Sequence, residues 1–455
     1  MPTRLECLDR TLLLAKTLFS SDVESAAISA ALSASPVALY ADSETLACSP
    51  GQTGIVTTAQ LILAMGIPVH LVAPKAFLSI QPPLVGDEFG EALVTYGANL
   101  IPGASLTLTD TAEETDLVFD FRSSPSVRSQ QPGWDVSGSQ CAGAISQSQA
   151  LSKPWGDSDH IGAGVAAVLC AAEAFKHGMR RVVKDTGVRP SVEELLMPAH
   201  SASFAFDSAR VGSIDGRCIG DIDIVSGGAI TMSMVHALLR SDAIGHIRVI
   251  EPDRADSSNL NRYPLLTRAD IGQLKAALLS RYSAQHLEIV GQPSRLEPKS
   301  IRRLGPFAPT MVVGADDIRS RWLVQGVQPA RLFVGATADF MTLTSEHPVG
   351  SPCARCLHPV DDGVRGVIAT VSFVSYLAGL ALAWRVLSTV GQGPCSEDRQ
   401  ALVAWPLRMD LETSHAWQCV TRDSACEYCG AHVARRFRPP RPQPNRRSVR
   451  RVSMK

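Results

Sequence analysis

The chain has 455 residues, 45% of them hydrophobic and 19% charged, with a formal net charge of -1. That length and apolar content predict two domains of ordinary size, each with its own core. The near-zero charge excludes a body drawn to nucleic acid or anionic membrane by its overall field.

The first residues, Met1 to Arg10, lack the basic start, apolar run and small-residue cleavage site of a secretory signal. Most of the cysteines, such as Cys48 and Cys170, stand alone among apolar neighbours, as buried free thiols of a cytoplasmic protein do. Short strands are predicted at residues 36–40, 67–73 and 117–121. Gly51-Gln52-Thr53-Gly54 is read as opening a helix over 55–65. Residues 123–152, rich in Ser, Gly, Gln and Pro, are read as loop. A small-residue helix follows over 161–176, and 182–217 is read as a linker with a local helix at 191–197.

The second half predicts a strand at 221–225, a tight turn at 226–228, a helix over 229–240 and a strand at 245–251. Further strands are expected at 311–316 and 332–336. Strands alternating with helices imply parallel βαβ units. The apolar segment 367–390 contains Tyr376, Arg385 and many small residues, which favours a buried helix over a membrane span. Its resemblance in position to the helix over 161–176 suggests a diverged internal duplication. From His432 to Lys455 the chain is rich in Arg and Pro and has no acid. That tail is read as a disordered, solvated extension, or as an arm for an acidic partner.

The chemistry concentrates in the second half. Ser226-Gly227-Gly228 follows a strand and opens a helix, so its amides can approach a phosphate. Ser226 and Thr231 stand where a dinucleotide fingerprint has its first and last glycines. Glu251 and Asp253 end the next strand, where an acid hydrogen-bonds a ribose hydroxyl. Asn259, Arg262 and Lys275 follow within one short span. Hydride transfer has no need of that set; cleavage of a triphosphate does, because charge moves onto the leaving pyrophosphate. Asp316 ends a later strand and is placed to hold Mg2+, while Asp317 beside it can cap the following helix. Cys353-Ala354-Arg355-Cys356 and Cys426-Glu427-Tyr428-Cys429 are two C-x-x-C knuckles suited to one structural Zn2+, with a redox pair as the alternative for either.

Together these residues resemble the ThiF/MoeB/HesA superfamily, the adenylation domain of ubiquitin-activating enzymes and their bacterial relatives. The resemblance covers about residues 222–430 and includes the glycine turn, the run from Asp253 to Arg262, Lys275, Asp316 and both knuckles. It implies a Rossmann-like α/β fold with ATP at the strand tips. Asn259, Arg262 and Lys275 would then contact the phosphates, Glu251 the ribose, and Asp316 the Mg2+. Cys353, Cys356, Cys426 and Cys429 would bind Zn2+. Family domains work as two-fold pairs, so the chain is expected to hold two ThiF-like halves: a diverged, inactive one over 1–181, the linker 182–217, an active one over 218–431, and the tail 432–455. A homodimer of such chains is a further expectation. Arg10 is the candidate for an arginine donated across the interface. Family members that form a thioester carry a cysteine between the first knuckle and the long helix. Residues 357–369 have none, which leaves Cys395, and less suitably Cys419, as substitutes. The expected function is ATP-dependent adenylation of a carboxylate with release of pyrophosphate. The expected substrate is the C-terminal glycine of a ubiquitin-like protein, with a conjugating enzyme as possible partner. A peptide or small carboxylate in natural-product or cofactor biosynthesis is one alternative, and a non-catalytic nucleotide-binding scaffold with a decayed site is another.

Overall fold

The computed structural model describes residues 2–111, 115–123, 133–147, 155–156, 160–206, 214–315, 317–361, 368–390, 395–411 and 413–429. Asp316, part of the segment after the first knuckle, and the basic tail lie outside them.

Short β-branched runs alternate with helices from the start. Helices α1 (Arg4–Lys16) and α2 (Ser25–Ser33) precede strand β1 (Val37–Tyr40). Then come α3 (Ser43–Ala47), α4 (Ser49–Ala64), β2 (Val69–Val72), α5 (Phe89–Ala98), β3 (Leu106–Leu108) and β4 (Leu117–Asp120). A hairpin of β5 (Gly133–Ser139) and β6 (Ala142–Ser146) leads to the long helix α6 (His160–Thr186) and to β7 (Ser201–Ala205). These strands form one sheet in the order β3-β2-β1-β4-β5-β6-β7. The pairings from β3 to β5 are parallel and the last two antiparallel.

The second half repeats the plan. It runs β8 (Cys218–Val225), α7 (Ala229–Arg240), β9 (Ile244–Ile250), α8 (Lys275–Ser280), β10 (Leu287–Gln292), α9 (Ile301–Leu304), β11 (Thr310–Val313), α10 (Ile318–Gly326) and β12 (Arg331–Ala338). It closes with β13 (Met341–Pro348), α11 (Ala354–Leu357), α12 (Ser372–Ser388), β14 (Ala401–Ala404) and β15 (His415–Gln418). Its sheet order is β10-β9-β8-β11-β12-β13-β14-β15. Strand for strand this matches the first sheet, with one antiparallel strand added at the edge.

Small residues let the long helices pack closely, both within the second half and across to the first. A Cβ on Gly379 of α12 would lie 2.4 Å from the Ile230 carbonyl oxygen of α7, and one on Gly164 of α6 would lie 3.0 Å from Leu380 of α12. Close backbone approach of this kind requires glycine. One apolar core runs through both halves, with the Phe175 and Phe373 ring centroids 5.7 Å apart and those of Phe206 and Trp384 5.1 Å apart. The buried segment over 372–388 is a helix inside this core, and no described helix is long and apolar enough to cross a membrane.

Three expectations change. Gly51-Gln52-Thr53-Gly54 does not precede the helix: all four lie inside α4, which starts at Ser49. Their glycines serve packing, since a Cβ on Gly51 would lie 2.1 Å from the Thr45 carbonyl oxygen and one on Gly54 would meet Trp155 and Phe121. The loop expected over 123–152 holds the β5–β6 hairpin. Glycines hid it, because a Cβ on Gly143 would lie 2.3 Å from the Ala166 amide nitrogen of α6. Finally, 182–217 is not simply linker: α6 extends to Thr186, and β7 pairs with β6 in the first sheet.

Candidate active site

Strands β9, β8 and β11 end level with one another, Val225 pairing with Ile250 on one side and Val313 on the other. In an open parallel sheet, a crevice beyond the carboxyl ends at the reversal of strand order is where ligands bind. A cleft of about 290 Å³ lies there. Its floor is the start of α7 (Gly228, Ala229 and Ile230), and its sides carry Glu251, Arg262 and Lys275.

The floor is a stapled turn. Ser226 adopts a φ of +88°, a conformation that normally favours glycine. Its Oγ accepts a hydrogen bond from the Gly228 amide at 3.1 Å, and the Thr231 hydroxyl donates to the Ser226 carbonyl at 2.8 Å. The two residues that break the glycine fingerprint thus close the turn with their own hydroxyls. Glu251 is buried and receives two amides, from Gly227 at 2.5 Å and Asp253 at 2.8 Å. Helix α7 has no side-chain cap, so the amides of its first turn face the cleft with the positive end of the helix dipole.

The Asn259–Lys275 run folds over one side. Asp256 and Asn259 form a capping box, with Asn259 Oδ1 accepting from the Asp256 amide at 2.9 Å. Asn259 is buried behind the cleft wall and does not line it. Arg262 and Lys275 do line it, and both lie over the Tyr263 ring, 5.2 and 5.4 Å from its centroid. The ring face favours cations, and both charges contact it. The Arg262 guanidinium also donates to the Ser258 carbonyl and, at 2.8 Å, to Asn261 Oδ1. Asp253 lines the cleft at its rim, 3.5 Å from Arg295.

Arg295 is a third cation of the cleft that the sequence analysis passes over. It follows β10, a strand not anticipated, so nothing marked its side chain as facing the others. Asp317 caps α10, accepting from the Arg319 and Ser320 amides at 3.1 and 3.0 Å. Asp316 lies outside the described residues. Arg10, on α1 of the first half, reaches the far wall: its guanidinium donates to the Ile368 carbonyl at 3.3 Å, and Ile368 lines the cleft. Cys395 is not among the lining residues; it lies near the buried guanidinium of Arg385.

The two knuckles meet. Sγ of Cys353 lies 3.5 Å from Sγ of Cys426 and 3.8 Å from that of Cys356, and Cys356 and Cys429 are 3.4 Å apart. All four sulfur atoms lie within 4.8 Å of one another. A tetrahedron with Zn–S bonds of about 2.3 Å has edges of roughly 3.8 Å, so the donor set fits a structural Zn2+. The Asp423 amide points at Cys356 Sγ from 3.4 Å, and Arg355 lies over the Trp322 ring at 4.4 Å from its centroid. Closing this site ties residues 426–429 to the end of β13 and to α10 behind it.

The chain is similar to several known proteins. Over 239 residues the chain is 28% identical to the sulfur carrier protein adenylyltransferase of Thermus thermophilus, covering 47% of this chain and 83% of that protein. It is 26% identical over 202 residues to the protein y4jF of Sinorhizobium fredii, covering 43% of this chain and 38% of that one. Among solved structures, E. coli MccB with AMPCPP and MccA is 19% identical, with a TM-score of 0.38, over 46% of this chain and 66% of that chain. A structure of PaaA is 14% identical, with a TM-score of 0.35, over 44% of this chain and 64% of that chain. Residues 224–426 match the model of the ThiF family.

Proposed function

We propose that this protein is an ATP-dependent adenylyltransferase that activates a carboxylate in the cleft of its second half. The observation that carries the reading is the convergence of three cations, Arg262, Lys275 and Arg295, on the free N-terminus of α7. Such an arrangement favours a polyphosphate and the charge that builds on departing pyrophosphate. The substrate carboxylate attacks the α-phosphorus, the bond to the β-phosphate oxygen breaks, and an acyl-adenylate and pyrophosphate result. Lys275 and Arg262, fixed on Tyr263, stabilise the leaving group with little rearrangement. Glu251 holds the turn and keeps lone pairs for a ribose hydroxyl. Asp316 would hold Mg2+, which would neutralise phosphate charge.

The matching plan of the two sheets supports reading the first half as a structural partner derived by duplication, with Arg10 as its contribution to the cleft. The substrate we propose is the C-terminal carboxylate of a small carrier or ubiquitin-like protein, in keeping with the Thermus relative's name. A short peptide is the second choice. One observation favours a non-catalytic nucleotide-binding scaffold instead: Gly227 and Gly228 already spend their amides on Glu251 and Ser226. Substrate-dependent exchange of labelled pyrophosphate into ATP separates the readings. Exchange that Asp316→Ala abolishes is the expected result. No exchange with any candidate carboxylate, together with no ATP binding by calorimetry, sinks the enzyme reading.

A further inference from the structure

The corner of the first half that matches the adenylation cleft carries a different set of groups. Ser49 opens α4, as Ala229 opens α7, and His160 opens α6. His160 Nδ1 lies 2.7 Å from Asp215 Oδ2, and its Nε2 lies 3.0 Å from Ser49 Oγ. Three segments far apart in sequence meet in this chain of contacts: the start of α4, the start of α6 and the approach to β8.

Chemistry fixes the direction of the bonds. An ionised carboxylate only accepts, so Nδ1 donates to Asp215. In the neutral ring, Nε2 is then a lone pair aimed at the Ser49 hydroxyl, which donates to it. That is the arrangement that activates a serine: base within hydrogen-bond reach of the nucleophile, and carboxylate orienting the base. His160 is 6% exposed, Asp215 is nearly as well covered, and Ser49 is half-buried, so the base is shielded from bulk solvent. Asp215 Oδ1 is buried with no hydrogen-bond partner among the described residues. Gln81 Nε2 donates to the Ser49 carbonyl at 3.2 Å and helps hold the backbone that carries the hydroxyl.

We infer that Ser49, His160 and Asp215 form a second site, an acyl-transfer or hydrolytic centre for an ester or thioester, separate from the adenylation cleft. Ser49 Oγ attacks the carbonyl carbon while His160 Nε2 takes its proton. The tetrahedral adduct collapses, the leaving alcohol or thiol receives that proton, and an acyl-serine remains. Water, deprotonated by the same ring, then attacks the ester carbonyl, and the acid departs as Ser49 regains its proton. Asp215 is a positioning residue that holds the ring in the required tautomer.

A fluorophosphonate tests this without knowledge of the acyl group. The full chain is incubated with the reagent and the adduct is located by peptide mass spectrometry. A single adduct on Ser49 is expected, absent in Ser49→Ala and formed at least about 100-fold more slowly in His160→Gln, the usual contribution of a general base. Asp215→Asn should slow labelling and Asp215→Glu should restore part of it, both at an unchanged thermal midpoint. Wild-type protein that is folded by circular dichroism and takes no label on Ser49 overturns the proposal, whatever the variants do. So does labelling of His160→Gln at the wild-type rate.

Discussion

The paired glycines of the turn allow one prediction to be worked from distances. A Cβ on Gly227 would lie 2.9 Å from Glu251 Cγ and 3.3 Å from Lys275 Cβ, so Gly227→Ala must push both side chains aside. Overpacking of this kind costs about 1–3 kcal/mol. The cost falls on the apo-protein, because Glu251 is the residue that anchors the turn. A Cβ on Gly228 would meet only the Ser226 hydroxyl, at 3.1 Å, with the Gly314 carbonyl oxygen next at 3.7 Å. Gly228 has an ordinary φ of -74°, so Gly228→Ala should cost the apo-protein under about 1 kcal/mol. Gly228 lines the cleft, however, and its new methyl would occupy space a phosphate needs. The pair should therefore separate. Denaturant unfolding without ligand should show Gly227→Ala destabilised and Gly228→Ala near wild type, while calorimetry should show Gly228→Ala at least about tenfold weaker for ATP, or about 1.4 kcal/mol. A Gly227→Ala protein as stable as wild type would refute the contact argument. A Gly228→Ala protein with full ATP affinity would refute the placement of the phosphates.

Two further outcomes concern stability. Purified protein should carry one zinc per chain by metal analysis, lost in Cys353→Ser and in Cys429→Ser with release of the segment after β15 to proteolysis; zinc retained in both variants would remove the site. Burial lowers the His347 pKa from 6.5 to about 4, with its Nδ1 facing the Pro352 carbonyl at 2.8 Å. Because the folded value lies below the unfolded one, this residue's contribution is complete above about pH 6.5 and is lost as pH falls toward 4. Over that window the loss is about 3 kcal/mol, at 1.36 kcal/mol per pKa unit. Urea unfolding of wild type and His347→Gln at pH 7 and pH 4.5 checks it, and equal pH dependence in the two would show that His347 does not stay neutral in the fold.

What the sequence disclosed and what it concealed follow from one physical difference. Helix α7 was legible to the residue because glycines stop a strand before it and apolar residues run through it. Arg262 and Lys275 stood out because cations soon after a strand tip have few structural reasons to be there, and both line the cleft. Glycine misled wherever it served packing. Gly51 and Gly54 read as the lead-in to a helix, yet they lie inside α4 and let it pack against Thr45 and Phe121; Gly138 and Gly143 read as loop, yet they let α6 lie on the β5–β6 hairpin. Backbone freedom and absence of a Cβ are the same property locally, and only the neighbour across the gap tells which one is used. The Ser49–His160 contact was illegible for a related reason: 111 positions separate the two residues, and no local pattern links them.

The two halves share a strand order, but the start of the helix after the first strand decides which of them can take a nucleotide. In the second half, Gly228 precedes α7 and the residues of its first turn keep their N–H groups for the cleft. In the first half, Pro50 stands in the first turn of α4 and has no N–H to give. Helix α3 closes over the same turn, so that Gly51 lies against the Thr45 carbonyl. The cation there is already committed: Arg122 holds Asp120 through two contacts of 2.8 and 2.5 Å. A triphosphate would have to displace α3, do without the proline amide and break that ion pair. One ATP per chain is expected by calorimetric titration. A stoichiometry of two, with the second site abolished by a bulky residue at Gly51, would show that α3 opens and that the first half retains a nucleotide site of its own.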